Sequence, residues 1–211
     1  MLLTVVDYGV GNLRSIAKSI EKANTDNSLN YSVKVSSDID DVKKSDKIVL
    51  PGQGSFKACK TGIDNIDGLQ EELNEHVLIK KKPIYGICAG MQLFATTGYE
   101  EERTAGLNWI PGEVIKLDLG LSKLKIPHMG WNELKVDNFS NVFKDIINNK
   151  HAYFIHSYEF IPKDKKNISI TTNYGKDVIA AVSFENIFGS QFHPEKSDKT
   201  GLIIIKNFLD L

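Results

Sequence analysis

Short apolar segments that alternate with helical patterns dominate the first half of the chain. Apolar residues recur at helical spacing from Leu13 to Ile20, within residues 69–79 and after Cys88. Strands that alternate with helices in this way are typical of a parallel sheet covered by helices. The predicted strands are residues 2–6, 31–35, 47–50 and 83–87.

The second half of the chain is richer in strands and lacks long helical patterns before its end. A closing helix is predicted within residues 201–211. We therefore expect an α/β fold: an open mixed, mainly parallel sheet flanked by helices, with a β-rich C-terminal half. Because 211 residues without a Pro- or Gly-rich linker suit one domain, we expect a single domain over residues 1–211. The later predicted strands are residues 113–117, 132–136, 152–156, 168–171 and 178–184.

The charge balance and the cysteine content narrow the possible partners and compartment. The 26 Lys and Arg residues nearly cancel 27 Asp and Glu residues, which argues against nucleic acid or an anionic membrane as the main partner. Two cysteines, Cys59 and Cys88, are too few for a secreted disulfide scaffold of this length. Neither a signal peptide nor a membrane-spanning apolar run is visible. We expect a cytoplasmic protein.

Cys88 lies in the most informative segment of the sequence. Small residues stand two positions before and after it, between an apolar strand and a helix: Gly86-Ile87-Cys88-Ala89-Gly90-Met91-Gln92. This is the pattern of a nucleophile elbow, in which a sharp turn exposes the reactive side chain. The start of the following helix favours a thiolate and offers free N–H groups to an oxyanion. Cys59 has no such flanks, and we interpret it as structural.

A nucleophilic cysteine needs a base, and His193 is the best candidate among five histidines. It follows a short apolar strand and precedes Pro194 and Glu195. A carboxylate two residues on can fix the tautomer of the imidazole and stabilise its charged form, as the third member of a triad does. We interpret His76, on a charged helical segment, as solvated.

Several segments together resemble the class I glutamine amidotransferases, in which a cysteine cleaves the side-chain amide of glutamine. The resemblance covers nearly the whole chain and is strongest to the branch that serves histidine biosynthesis. It implies a three-layer, flavodoxin-like fold, with Cys88 as nucleophile, His193 as base and acid, and Glu195 as the orienting carboxylate. The matching segments are residues 7–13, 51–56, 86–92, 127–132, 153–158 and 191–197.

The resemblance also implies a substrate site. Backbone N–H groups of Gln53 and Ala89 correspond to the oxyanion hole, and the flanking Gly52 and Gly54 allow the peptide flip that aims the Gln53 N–H. Glu100 corresponds to the residue that holds the α-amino group of glutamine. The remaining residues that correspond to the glutamine pocket are Gln92, His156, Ser157 and Tyr158.

No metal or organic cofactor is implied by the resemblance. The implied partner is a (β/α)₈-barrel cyclase subunit, which would form a heterodimer with this chain and receive ammonia through a tunnel. In the family, two of the matching segments lie toward that partner, which makes Asn12 and Tyr153 interface candidates. We expect no nucleic acid or membrane partner.

Four other interpretations compete with this one. The chain could serve another glutaminase complex, be an inactive scaffold subunit on the same fold, or be a cysteine peptidase of similar topology. The intact set of Cys88, His193 and Glu195 disfavours the scaffold. Gly9-Val10-Gly11 invites a dinucleotide-binding interpretation, but Arg14 stands where that motif needs its third glycine.

Overall fold

The protein is described by a computed structural model that covers residues 1–146 and 150–211. Within them, none of the helices is long and apolar enough to cross a membrane. The helices are α1 (Leu13–Asp26), α2 (Ile39–Lys44), α3 (Phe56–Asp64), α4 (Leu69–Asn74), α5 (Ala89–Gln92) and α6 (Asp198–Leu209). The strands are β1 (Leu2–Val6), β2 (Ser32–Ser36), β3 (Lys47–Leu50), β4 (Ile84–Ile87), β5 (Thr97–Gly98), β6 (Thr104–Ala105), β7 (Gly112–Lys116), β8 (His128–Val136), β9 (Lys150–His156), β10 (Tyr158–Pro162), β11 (Ile168–Asn173), β12 (Asp177–Phe184) and β13 (Ile187–Ser190).

A nine-stranded mixed sheet forms the centre of the fold. Its strand order is β2-β1-β3-β4-β13-β12-β11-β8-β9. Neighbouring strands from β2 to β13 are parallel, and those from β13 to β9 are antiparallel. The predicted mixed sheet with a β-rich second half is therefore confirmed.

Helices cover the sheet on both faces, so the molecule has three layers. Along β3 the buried residues alternate: Ile48 and Leu50 face the core that holds α2, α3 and α4, and Val49 faces the core with α1 and α6. Parallel strands that are buried on both faces read as continuous apolar runs. That is why the first half of the sequence predicts its strands so directly.

A second sheet of four strands, ordered β10-β7-β5-β6, was not predicted from the sequence. Two of its strands have only two residues each, too few to show a period. Val114 and Phe160 pack it against the same core as α3. Since β9 ends at His156 and β10 begins at Tyr158, the chain crosses between the two sheets at Ser157.

The interpretation of His76 as solvated was wrong. Helix α4 continues into a π-helical turn at Glu75–Ile79, and the side chain of His76 is 0% exposed there. Its Nε2 lies 3.3 Å from the Pro83 carbonyl oxygen. Burial lowers the pKa of His76 to about 4. The charged neighbours suggested a solvent-facing helix, but the wider π turn changes which residues face inward.

Gly90 gives a test of how tightly the elbow packs on the sheet. A Cβ added there would lie 2.1 Å from the Leu50 carbonyl oxygen, so Gly90→Ala forces β3 and α5 apart. We expect this substitution to lower the free energy of unfolding by about 2 kcal/mol or more, measured by urea denaturation. Gly120→Ala is the control, because a Cβ at this φ of +56° meets nothing within 4 Å and costs only about 1 kcal/mol of backbone strain. Equal losses for the two variants would contradict this packing.

Candidate active site

Cys88 occupies a strained turn between β4 and α5. Its φ of 54° and ψ of −113° lie outside the regions that L-residues favour, at a cost of about 1–3 kcal/mol. The Cys88 N–H donates to the Ser190 carbonyl oxygen at 2.8 Å, and the Cys88 carbonyl oxygen accepts from Met91 and Gln92. Gly86 has no room for a Cβ, which would lie 2.5 Å from the ring of Phe94. These features are those of the predicted elbow.

His193 and Glu195 are paired at the end of the neighbouring strand β13. Nδ1 of His193 lies 2.8 Å from Oε1 of Glu195, and the Glu195 side chain is 1% exposed. Because a carboxylate only accepts hydrogen bonds, Nδ1 donates a proton to Glu195, and Nε2 is the ring nitrogen left to act in the cleft. Backbone bonds hold the segment in place, with the His193 N–H donating to the Tyr153 carbonyl oxygen at 3.0 Å.

The electrostatic setting of His193 favours its charged form. Burial alone lowers the pKa of His193, but the hydrogen bonds and charges of Cys88 and Glu195 outweigh it and raise the pKa to about 9. A positive charge beside a cysteine is the setting in which proteins use the sulfur as a nucleophile. Helix α5 is one turn of four residues, so its dipole contributes less than this neighbouring charge.

A cleft of about 220 Å³ opens over the sulfur, a size that suits a ligand smaller than those of typical 300–1,000 Å³ pockets. The sequence did not single out two of its lining residues, Ile155 and Lys196. Lys196 directly follows Glu195, and that position is the one sequence signal that pointed to it. Every residue predicted for the oxyanion hole and the substrate pocket lines this cleft: Gly52, Gln53, Gly54, Ala89, Gln92, Glu100, His156, Ser157 and Tyr158.

The segment 51–54 lies directly against the elbow. A Cβ on Gly52 would come within 2.0 Å of the Gly90 nitrogen, so only glycine allows this approach. The Tyr8 hydroxyl donates to the Pro51 carbonyl oxygen, and the Cys59 thiol, 3.7 Å away, donates to the carbonyl oxygen of Gln53. The peptide between Gly52 and Gln53, which carries the Gln53 N–H, therefore lies between two anchored carbonyl groups.

Glu100 and Gln92 place complementary polar atoms in the cleft. Oε2 of Glu100 accepts from the Phe56 N–H at 2.8 Å, and burial raises the pKa of this carboxyl group. Nε2 of Gln92 donates to the Tyr158 carbonyl oxygen at 3.0 Å and to Oε1 of Gln191 at 2.9 Å. Since both amide hydrogens of Gln92 are used, only its Oε1 remains for a ligand.

An exposed apolar face adjoins the cleft on strands β8 and β9. Met129 pairs with Ile155 and Trp131 with Tyr153 across the two strands. The exposed fractions of Met129 and Trp131 are 59% and 55%, and the Trp131 and Tyr153 rings meet edge to face at 6.1 Å. We call these four residues the β8–β9 face. The Ile155 carbonyl oxygen lies 3.9 Å from the Cys88 sulfur, so the face borders this side chain.

Asn12 lies directly before α1 and makes no side-chain capping bond there. A Cβ on its neighbour Gly11 would lie 3.0 Å from Pro51, so this turn packs against segment 51–54.

Among the residues that the structure describes, no group of three His, Cys, Asp or Glu side chains is arranged to hold a metal ion.

Comparison with known proteins identifies relatives over the full length of the chain. The family model for class-I glutamine amidotransferases matches residues 4–211. The imidazole glycerol phosphate synthase subunit HisH of Pelagibacter ubique is 51% identical, over 100% of both chains. The HisH subunit of Cereibacter sphaeroides is 44% identical, over 99% of this chain and 98% of its own.

Solved structures show the same fold at low sequence identity. A crystal structure of a glutamine amidotransferase aligns with a TM-score of 0.71 at 15% identity, over 99% of each chain. A glutamine amidotransferase from Thermotoga maritima aligns with a TM-score of 0.63 at 15% identity, over 100% of this chain and 83% of its own. At such identities the likeness supports the fold alone.

The charge on His193 can be tested directly by NMR titration of its ring. Because Glu195 raises the pKa of His193 against the effect of burial, Glu195→Gln should lower that pKa by about 1 to 3 pH units from its wild-type value of about 9. The control is Glu21→Gln, which removes an exposed carboxylate on α1 and should leave the titration unchanged. An unshifted His193 titration in Glu195→Gln would contradict the assigned pairing.

Proposed function

The chain belongs to the class I glutamine amidotransferases, and we propose that it is the glutaminase subunit of an imidazole glycerol phosphate synthase. In this role it hydrolyses L-glutamine to glutamate and ammonia. The ammonia passes to a cyclase subunit that makes imidazole glycerol phosphate and an aminoimidazole carboxamide ribotide in histidine biosynthesis. The observation that carries the proposal is a cleft lined by Cys88 and His193, with Glu195 paired to His193 behind it, in a chain whose relatives match it from end to end.

The proposed reaction is acyl transfer through a thioester on Cys88. The thiolate attacks the side-chain amide carbon of glutamine, and the N–H groups of Gln53 and Ala89 stabilise the oxyanion that forms. His193 gives its Nε2 proton to the departing nitrogen, which leaves as ammonia. Water then attacks the thioester while His193 takes its proton, and glutamate and the Cys88 thiolate are released. The protein groups supply every proton transfer, and no cofactor is needed.

The cleft can orient the substrate through the atoms that its own hydrogen bonds leave free. Glu100 retains Oε1 to accept from the α-ammonium group of glutamine, and its partly buried setting strengthens that charge pair. Oε1 of Gln92 can accept from the amide nitrogen of the substrate. Both contacts hold a free amino acid with an amide side chain, which favours glutamine over a peptide.

The proposed partner is a (β/α)₈-barrel cyclase that forms a heterodimer by covering the β8–β9 face. An exposed patch with Trp and Tyr at its centre has the composition of an interface core. Lys196 extends the patch toward the cleft, with Nζ 5.9 Å from the centre of the Tyr153 ring. Since Ile155 joins this face to the nucleophile, a partner bound there would receive ammonia close to where it forms. Asn12 is proposed as a second contact.

The proposed compartment is the cytoplasm. The reaction depends on a free thiol at Cys88, and reducing conditions in the cytoplasm keep thiols reduced. An inactive scaffold subunit is disfavoured because such a protein has no need to keep His193 and Glu195 paired beside the cysteine.

Substitution of the nucleophile separates glutaminase from synthase chemistry. Cys88→Ala should abolish glutamine hydrolysis, while the assembled complex still makes product from added ammonium, because only the ammonia source is lost. Thr61→Ala, at an exposed position of α3 that does not line the cleft, is the control and should retain glutamine hydrolysis. Both activities can be measured by glutamate release and product formation. Full glutaminase activity in Cys88→Ala would refute the assignment.

The proposed role of the β8–β9 face can be tested by measuring the affinity between the two subunits. Trp131→Ala should weaken partner binding by about 2 kcal/mol, or roughly 30-fold in Kd, because exposed Trp residues at an interface centre contribute most of its binding energy. Phe184→Ala is the control. Phe184 is also exposed, and it lies at the end of β12 where it pairs with Ile187 at the start of β13, away from the end of β13 that leads to His193. Calorimetry should find the control unchanged; equal effects of both variants would exclude the β8–β9 face.

A further inference from the structure

Gln191 touches the nucleophile and has no assigned role in the reaction above. It follows strand β13 and is 0% exposed, and its backbone N–H donates to the Ala180 carbonyl oxygen at 2.8 Å. Its side-chain amide lies between two groups of the site. Oε1 is 2.9 Å from Nε2 of Gln92, and Nε2 is 3.6 Å from the sulfur of Cys88. A side-chain amide therefore bridges the pocket glutamine and the reactive sulfur.

The carbonyl group of Tyr158 determines which end of that amide faces the sulfur. A carbonyl oxygen only accepts, so the end of Gln92 that lies 3.0 Å from it must be the NH₂ group. The same NH₂ group faces Gln191 at 2.9 Å, so Gln191 must present its oxygen there. The NH₂ group of Gln191 is then directed at Cys88. The orientation of both side-chain amides is therefore fixed by one backbone acceptor, the Tyr158 carbonyl oxygen.

The second lone pair of the Tyr158 oxygen is also occupied, which makes the arrangement rigid. Nδ1 of His156 lies 2.9 Å from it and must donate, which leaves Nε2 of His156 as an acceptor. Nδ1 of His128, 3.0 Å away, donates to that acceptor, and Asn132 donates to Nε2 of His128 at 3.2 Å. Burial lowers the pKa of His128 to about 4 and that of His156 to about 3, so both rings are neutral, as this order of donors requires.

We propose that Gln191 is a further catalytic residue, whose amide N–H donates to the sulfur of Cys88 and stabilises the thiolate, and that Gln92 and the Tyr158 carbonyl hold it in this orientation. The proposal rests on the glutaminase function proposed above. A donor at the sulfur increases the fraction of thiolate before attack. It also stabilises the sulfur as a leaving group when water cleaves the thioester. No proton moves to or from Gln191 in either step.

One substitution with two readouts distinguishes this role from a structural one. Gln191→Leu keeps a similar volume, adds no charge, and removes both the acceptor for Gln92 and the donor to Cys88. If Gln191 acts on the sulfur, the variant slows alkylation of Cys88 as well as glutamine hydrolysis. If Gln191 only holds Gln92, the variant slows glutamine hydrolysis and leaves alkylation unchanged, because a small alkylating reagent does not need the glutamine pocket.

The readout is the rate of Cys88 alkylation by iodoacetamide from about pH 6 to pH 9, with the adduct located by mass spectrometry, beside kcat/KM for glutamine in the assembled complex. We expect Gln191→Leu to lower both rates at neutral pH by about tenfold. Gln70→Leu, on α4 outside the cleft, is the matched control and should change neither rate. A wild-type alkylation rate in Gln191→Leu would overturn the proposal.

Thermal unfolding and ammonium-dependent synthesis identify variants that fail to fold, and such a variant is replaced by Gln191→Met for the same comparison. Failure of the Gln191 proposal is distinguishable from failure of the proposed function. In the first case the wild-type complex hydrolyses glutamine and Gln191→Leu is alkylated at the wild-type rate. In the second, the wild-type complex itself does not hydrolyse glutamine.

Discussion

The strained backbone of Cys88 is the constraint on which the site depends. A φ of 54° at a non-glycine residue persists only where its surroundings impose it, and here both sides do. Gly90 lets the elbow press against β3, and the bond from the Cys88 N–H to Ser190 ties it to β13. Because β13 also leads into His193, the strand that holds the elbow also positions the proposed base. Cys88 and His193 are thus held by neighbouring strands of one sheet.

A polar network surrounds the Tyr158 carbonyl oxygen, which accepts hydrogen bonds from two sides. On one side Asn132 donates to His128, His128 to His156, and His156 to the Tyr158 oxygen. On the other side Gln92 donates both to that oxygen and to Gln191, which in turn donates to Cys88. Buried networks of this kind are rigid only when every member is satisfied. The network begins on β8, the strand that also carries Trp131, so the β8–β9 face and Cys88 share one supporting element.

Much of the fold and the site could be predicted from the sequence, for physical reasons that also explain the failures. The strand before Cys88 is buried on both faces and therefore reads as an apolar run, and the elbow glycines are required by contact distances under 3 Å. The small second sheet was missed because two-residue strands have no period. His76 was misjudged because a π turn changes which residues face the core. The sequence places Gln191 in a segment that resembles the family but gives its side chain no role, since no spacing rule shows that an amide will contact a sulfur from another strand.

Covalent labelling with a chloroketone analogue of glutamine tests the central claim most directly, namely that Cys88 at the strained elbow is the nucleophile toward glutamine. The assembled enzyme would be treated with the analogue, assayed for glutamine hydrolysis, and digested for mass spectrometry. The account predicts one adduct per chain, on Cys88, formed in step with the loss of activity and slowed by glutamine. An adduct on Cys59 instead, or glutamine hydrolysis that continues after Cys88 is fully modified, would contradict it.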